Sequence, residues 1–384
     1  NNDGSDEIVF TSKSKKIYAF TYNSLLFEYD AESFLIGTPA IGNIDADPEL
    51  EIAIGGFSGS NKKLYAVNHD GTDVSNFPLD IGEKTRAGVA LFDFNDNGLD
   101  DIVFGTESDN LYMILDDGSI ALGFPFLGND KFKTAPIVLD NGESPIILAG
   151  SDDGTLYALN SDGSIRFTYE TDYSITTSPS VYNKDDYPYI VFGNSNGEVH
   201  GISINGNPNN TFLVQTGGSI SSSVLSADID NNQSDELVIL DEAGYLTVLK
   251  TDLSNFSNTP IEYQFEFSSA PTIVDVDQDG DLDILAGTVN SLHGIDFKQS
   301  SSLNDSWSIF RSNYKRNGVF EAFYCNSGDL NNDQEYNVLD ITLLVPFAFE
   351  ENLNQDQLCI ADLDNSGIVD ILDIITLVNL ILDF

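Results

Sequence analysis

The chain of 384 residues carries 62 Asp and Glu against 16 Lys and Arg, a formal charge of −46. That balance excludes nucleic-acid binding, where clustered Lys and Arg must meet phosphates, and docking on anionic membrane surfaces. An apolar fraction of 41%, with 25 Phe and 16 Tyr, supplies a large core, so the acidity is not that of a disordered chain.

Residues 1–7 hold neither the basic nor the apolar region of a signal peptide. NNDGSDEIVF instead aligns with the second half of a motif that recurs downstream, with Asn1 at its third position, so the true start is expected to precede Asn1. The motif runs as a short apolar strand, an acidic loop, an apolar strand ending in Gly, an LYAL-like strand, a DG turn and an aromatic-Pro strand. PAIGNIDADPELEIAIGG (39–56), VALFDFNDNGLDDIVFG (89–105) and PTIVDVDQDGDLDILAG (271–287) show it best. Its acidic loops begin at Asn43, Asp93, Asp140, Asn183, Asp228 and Asp275, in steps of 43 to 50 residues. Its third strand occurs seven times, from IYAF (17–20) to LHGI (292–295). That period suits four-stranded blades stacked around an axis, where each blade buries its two apolar faces on its neighbours. The expected fold is mainly β, a seven-bladed β-propeller over residues 1–320. Its first blade lacks an inner strand, or residues 305–320 with Trp307 supply a closing one.

Four of the loops carry oxygen side chains at positions 1, 3, 5 and 9. They are Asn43, Asp45, Asp47 and Glu51; Asp93, Asn95, Asn97 and Asp101; Asp228, Asp230, Asn232 and Glu236; and Asp275, Asp277, Asp279 and Asp283. Such a loop can wrap a hard cation, with Gly at position 6 allowing the sharp turn. Gly98 and Gly280 hold that place; the loops at 43 and 228 lack it. A lone match would read as an Asx-turn, but four in one register point to Ca²⁺, with no His or Cys ligand for a softer ion. The loops at 140 and 183 have lost most ligands and read as plain turns. These loops and the DIVFG and DILAG strands after them resemble the FG-GAP/VCBS family of calcium-loop propellers, which includes integrin α heads. The resemblance implies extracellular recognition or scaffolding more than catalysis. The LYALNSDGS segments also look like quinoprotein blades, but one Trp and no vicinal Cys pair argue against a quinone dehydrogenase.

After a linker at 321–327 the pattern changes to loop–helix, twice, over 328–384. Asp329, Asn331, Asp333, Asn337 and Asp340 form one twelve-residue EF-type loop, and Asp362, Asp364, Ser366, Asp370 and Asp373 the other. Helices are expected at 338–350 and 369–382. The pair resembles a type I dockerin, with NVLDITLLV and VDILDIITLV as helix starts, which implies a cohesin-like partner or attachment to a cell surface. Gln334 replaces the turn Gly, at a cost of about 1 kcal/mol, and Pro346 should kink or break the first helix. Val338, Leu339, Ile371 and Leu372 occupy positions 10 and 11, where cellulosomal dockerins often carry polar residues. Those apolar side chains can pack within the protein or form a partner site. Asp370 and Asp373 also interrupt the apolar stretch 368–382, which is too short to span a bilayer. Cys325 and Cys359 sit at nearly equivalent places in the duplicated unit, so a disulfide between them is expected, two buried free thiols being the other reading. A disulfide and open calcium loops both suit a secreted, extracellular protein.

His69, His200 and His293 lie far apart, and the latter two take the Tyr place of the third strand, so they read as packing. No Ser/His/Asp spacing or phosphate loop appears. The expected function is a secreted calcium-binding recognition or scaffold protein without enzymatic activity. The alternatives are a calcium-dependent polysaccharide lyase or hydrolase, or a lectin-like carbohydrate binder with a glycan on the propeller face. A basic and aromatic cluster at one mouth, built from Lys84, Arg86, Lys131 or Lys133, would favour those alternatives. The six loops use fewer than a third of the acidic residues; the rest is a solvated surface, suited to a saline habitat or to weak calcium binding.

Overall fold

A computed structural model describes the chain apart from residues 2–3, 59, 141–143, 185–186, 268, 289, 304–305, 322–327, 329, 331–335, 350–360, 362, 364–368 and 383–384. It divides into two compact units, Asn1–Phe320 and Glu321–Phe384.

The first unit is built of antiparallel sheets in which consecutive strands are neighbours, seven among the described residues. Sheet 1 contains Ile8–Thr11, Lys16–Phe20 and Leu25–Asp30. Sheet 2 contains Ala40–Gly42, Glu51–Gly55, Lys63–Val67 and Leu79–Asp80. Sheet 3 repeats it with Ala90–Phe92, Asp101–Gly105, Asn110–Ile114 and Phe126–Leu127. Sheet 4 holds Ile137–Asp140, Ile146–Gly150, Thr155–Leu159 and Ile165–Glu170. Sheet 5 holds Ser180–Lys184, Tyr187–Gly193, Glu198–Ser203 and Thr211–Gln215. Sheet 6 holds Leu225–Ala227, Glu236–Leu240, Tyr245–Leu249 and Ile261–Glu262. Sheet 7 is Thr272–Val274, Asp281–Gly287 and Leu292–Ser300.

The second strand of sheets 2, 3, 4 and 6 is buried at every position. Its two faces serve different neighbours, because successive side chains point opposite ways. In sheet 2, Ile52, Ile54, Tyr65 and Val67 pack with Ile17 and Leu35 of the first repeat, whereas Ala53, Leu64 and Ala66 pack with Leu91, Ile102 and Phe104 of sheet 3. Burial on both sides is why EIAIG and DIVFG read as apolar runs rather than as alternating strands. The turns between third and fourth strands are held by Asp70, Asp117 and Asp162, which accept the N–H of Thr72, Ser119 and Ser164 at 2.9, 2.8 and 2.9 Å.

The first strand of each repeat leaves one backbone edge to be satisfied, and residues 302–321 meet several of these edges. Ser226 N donates to Trp307 O (3.1 Å), Ile273 N to Ser308 O (2.8 Å), Ile41 N to Lys315 O (2.8 Å), Leu91 N to Asn317 O (3.0 Å) and Val138 N to Gly318 O (2.9 Å). The strand Val319–Glu321 then joins the free edge of Ile137–Asp140. Among the described residues sheet 1 has three strands, and the alternative in which residues 305–320 close it is corrected: the segment runs along the inner edges of sheets 6, 7, 2, 3 and 4. Its hydrogen-bonding groups are shared among many blades, and only its last residues pair as a strand with one of them.

In the second unit, α1 (Val338–Phe347) and α2 (Ile371–Ile381) pack on Leu344, Ala361, Val369 and Leu377. Both helices are shorter than expected. Asn337 and Asp370 are N-caps, each in a capping box with the Asp three residues on, so α2 begins only after Asp370. Pro346 has no N–H to extend α1, which ends one residue later. Among the described residues no helix is long and apolar enough to cross a membrane.

Trp307 is 1% exposed and belongs to the core that spans sheets 4 to 7. Trp307→Ala should cost about 3–5 kcal/mol in urea unfolding; a loss under about 1 kcal/mol would show that the inner segment is dispensable.

Candidate functional site

The four acidic loops share one hydrogen-bond frame. The carboxylate at position 9 accepts the N–H of position 2: Glu51 from Ile44 (2.7 Å), Asp101 from Phe94 (3.2 Å), Glu236 from Ile229 (2.8 Å) and Asp283 from Val276 (3.0 Å). In three of them the carboxylate at position 1 accepts the N–H groups of positions 5 and 6. Asp93 binds Asn97 N and Gly98 N at 3.1 and 2.6 Å, Asp228 binds Asn232 N and Gln233 N at 2.9 Å each, and Asp275 binds Asp279 N and Gly280 N at 3.2 and 3.1 Å. Position 6 is left-handed in all three, with φ of +87° at Gly98, +71° at Gln233 and +90° at Gly280. Gln233 thus takes the turn at some cost in strain.

The loop at 43–51 departs from this frame, because Pro48 at position 6 has a fixed negative φ. Asn43 turns its amide to Gly98 O in the next loop (2.7 Å), and Asp45 accepts Asp47 N (3.1 Å). Oxygens of Asp45, Asp47 and Glu51 still lie within 4.8 Å of one another, as do those of Asp228, Asp230 and Glu236, and of Asp275, Asp277 and Asp279. In the loop at 93–101 the amide of Asn95 donates to Asp101 (3.4 Å) and that of Asn97 to Asp116 (3.0 Å).

Glu51 and Asp101 are 0% exposed and Glu236 is 1% exposed. Burial, only partly offset by backbone N–H bonds, pushes Glu51 and Asp101 up to about 7 and Glu236 up to about 8. Glu51 Oε1 and Asp230 Oδ1 are buried and meet no donor among the described residues. An all-oxygen set with orphaned, buried carboxylate atoms fits a hard divalent cation.

Two features escaped the sequence reading. Lys298 stands 3.0 Å from Asp279 and 2.5 Å from Asp296, and its hydrogen bond holds Asp279 below the usual carboxylate range. It thereby occupies the carboxylate at position 5 of the loop. Asp47, Glu49 and His69 form a further close group, with Glu49 and His69 outside the loop pattern. His200 stacks on Phe192 at 5.5 Å and His293 on Phe265 at 4.5 Å, so both pack within or between sheets.

In the second unit, Asp340 and Asp373 are fully buried and play matching parts. Asp340 accepts Leu330 N and Asn337 N at 2.9 Å each, and Asp373 accepts Leu363 N and Asp370 N at 2.7 Å each. Asp329, Asn331, Asp333, Asp362, Asp364, Ser366, Cys325 and Cys359 lie outside the described residues. Val338, Leu339, Ile371 and Leu372 are 52–65% exposed.

A cavity of about 530 Å³ opens where the sheets converge. A three-residue stretch just ahead of the first strand of each of sheets 2 to 7 lines it, at 36–38, 86–88, 133–135, 176–178, 221–223 and 269–271, together with Thr272, Phe310 and Arg316. Fourteen of these eighteen positions are Gly, Ala, Ser or Thr, which lets the repeats crowd together: a Cβ on Gly88 would fall 2.7 Å from Thr38 O. Arg86 and Lys133 reach this mouth; Lys84 and Lys131 are not among its lining residues.

No family model matches the chain, and no curated protein matches it. Among solved structures it is similar to BBS1N in complex with ARL6DN, from lead- and mercury-soaked crystals. The identities are 13% and 14% and the TM-scores 0.51 and 0.53, covering 77% of this chain and 87% of that one. BamB from Moraxella catarrhalis aligns at 14% identity and TM-score 0.48 over 76% of this chain and 91% of its own. The fold is a mainly β, propeller-type architecture.

The raised carboxylates set a pH dependence. Their native values exceed the ordinary 3.8 of Asp and 4.5 of Glu, so the cation-free native state holds protons that the unfolded chain releases. In chelator, the stability these groups contribute should be fullest below about pH 4 and be lost progressively as pH rises to about 7 to 8. Urea midpoints that stay flat over that window would contradict the burial argument.

Proposed function

We propose that this protein is a secreted calcium-binding recognition module, a seven-bladed FG-GAP/VCBS-type propeller carrying a dockerin-like attachment unit. One observation carries the reading: Asp228, Asp230 and Glu236 converge within 4.8 Å, with Asp230 Oδ1 buried and lacking a donor. Three carboxylates so placed repel one another, and a Ca²⁺ ion offsets that repulsion while filling the orphaned acceptor. The cations tie the first two strands of their repeats and stiffen the propeller, which then offers a recognition face to an extracellular protein or glycan. In the second unit the exposed pairs Val338/Leu339 and Ile371/Leu372 suit a cohesin-like partner, because each follows an N-cap and begins a helix in the same way. The solved propeller bound to ARL6DN is an instance of a similar fold in a protein complex.

Calcium at 100 times its dissociation constant should stabilise the protein by about 2.7 kcal/mol per site, read as a rise in melting temperature of several degrees. Glu236→Gln should remove one site's share of that rise. Equal melting curves in calcium and chelator would sink the calcium reading. Changing Val338, Leu339, Ile371 and Leu372 together to Asp should abolish capture on an immobilised cohesin module without moving the calcium-dependent melting temperature. Capture that persists would remove the attachment role.

A second reading, a lectin-like carbohydrate binder or a polysaccharide lyase or hydrolase, is favoured by the convergence of Arg86 and Lys133 on the axial cavity. A glycan array tests the first form, and turnover of pectins tests the second.

A further inference from the structure

The axial mouth stands apart from the rest of this molecule in charge. Although the chain carries −46, the cavity is lined by three cations, Arg86, Lys133 and Arg316, and by hydroxyls such as those of Thr134, Ser178 and Ser222. Two of the cations are already paired: Arg86 Nε donates to Glu107 at 2.8 Å, and Lys133 bonds Asp152. Arg316 is not, since its Nη1 donates to the backbone carbonyl of Phe310. Behind the cavity wall lies Arg311, 1% exposed. Its Nε donates to Arg316 O at 2.7 Å and its Nη2 to Val89 O, while Nη1 is buried and meets no partner among the described residues. That nitrogen stands 3.0 Å from where a Cβ on Gly88 would sit, and Gly88 lines the cavity. Neither Arg311 nor Arg316 meets a carboxylate among the described residues.

Two arginines held by carbonyls leave about two positive charges at a confined, partly dehydrated place. Such a charge is costly unless an anion or water offsets it. The acidic exterior repels long polyanions, so the fitting ligand is small and carries its charge at one end. Guanidinium groups bind planar and tetrahedral oxyanions through several N–H bonds at once.

We propose that the axial mouth is a binding site for a small oxyanion-bearing ligand, a carboxylate or sulfate of one or two charges, held by Arg316 and Arg86 over the buried Arg311. This names the ligand chemistry of the recognition face in the proposed function and rests on that face being the propeller mouth.

Isothermal titration of the full chain, in calcium buffer at fixed ionic strength, tests it with galacturonate, sulfate and neutral galactose as probes. Galacturonate, sulfate or both should bind at one site, and galactose should not. Binding of galacturonate alone assigns a sugar acid, and binding of sulfate alone an inorganic oxyanion. Arg316→Gln and Arg86→Gln should each weaken binding at least tenfold; Arg86 is well exposed, so its variant keeps the fold even if loss of the Arg316–Phe310 bond does not. Absence of binding by both anions, equal binding of galactose, or unchanged affinity in Arg86→Gln would overturn the proposal. Should anion binding fail while calcium still raises the melting temperature, the oxyanion site falls and the calcium reading stands.

Discussion

The carboxylate at position 9 is the constraint on which the four acidic-loop repeats depend. Glu51, Asp101, Glu236 and Asp283 each lie in the second strand of their sheets and reach back to the N–H that follows the first strand. One bond therefore fixes where the first strand ends, where the second begins, and how the intervening loop turns inward. Three of these carboxylates are essentially inaccessible to water. A buried carboxylate with an orphaned oxygen is expensive in isolation, and the proposed cation in the loop would turn that cost into a stabilising cage. The same device recurs at Asp340 and Asp373, where a buried Asp accepts two backbone N–H groups ahead of a helix.

The inner edges form the second organising element. Stacked sheets cover one another's faces but leave their first strands with backbone donors along the inside. Residues 302–321 answer those donors one or two at a time, and Trp307 fills the adjoining core. Small residues before each first strand let the repeats crowd around the mouth. Arg311 and Arg316 belong to that inner segment, so the piece of chain that satisfies the edges also brings positive charge into an acidic protein.

Much of this architecture was legible in the sequence, because its causes are local and repeated. LYAL-type strands, DG turns and Asp at fixed spacing each act within a few residues, and the repeat period shows that they stack. The position-9 carboxylates and their bonds to the position-2 N–H were legible for the same reason. What escaped depends on distant partners or on one residue's stereochemistry. Pro48 cannot take the left-handed turn that Gly98 and Gly280 supply, so the loop at 43–51 folds differently although its ligands match the pattern. Lys298 reaches Asp279 across a hairpin, and nothing in the loop's own residues announces it. The path of residues 302–321 is set by edges up to more than two hundred residues away. Helix ends were misjudged where a cap or a proline, rather than apolar periodicity, decides them.

The most direct measurement is anomalous diffraction from crystals of the full chain soaked with a lanthanide, which occupies oxygen cages suited to Ca²⁺ and scatters strongly. The account predicts peaks within the loops at 93–101, 228–236 and 275–283, each enclosed by the position 1, 3, 5 and 9 oxygens. Its weakest expected peak lies in the loop at 275–283, where Lys298 competes for Asp279. Peaks found only on the acidic surface, with the position-9 carboxylates uncoordinated, would contradict it.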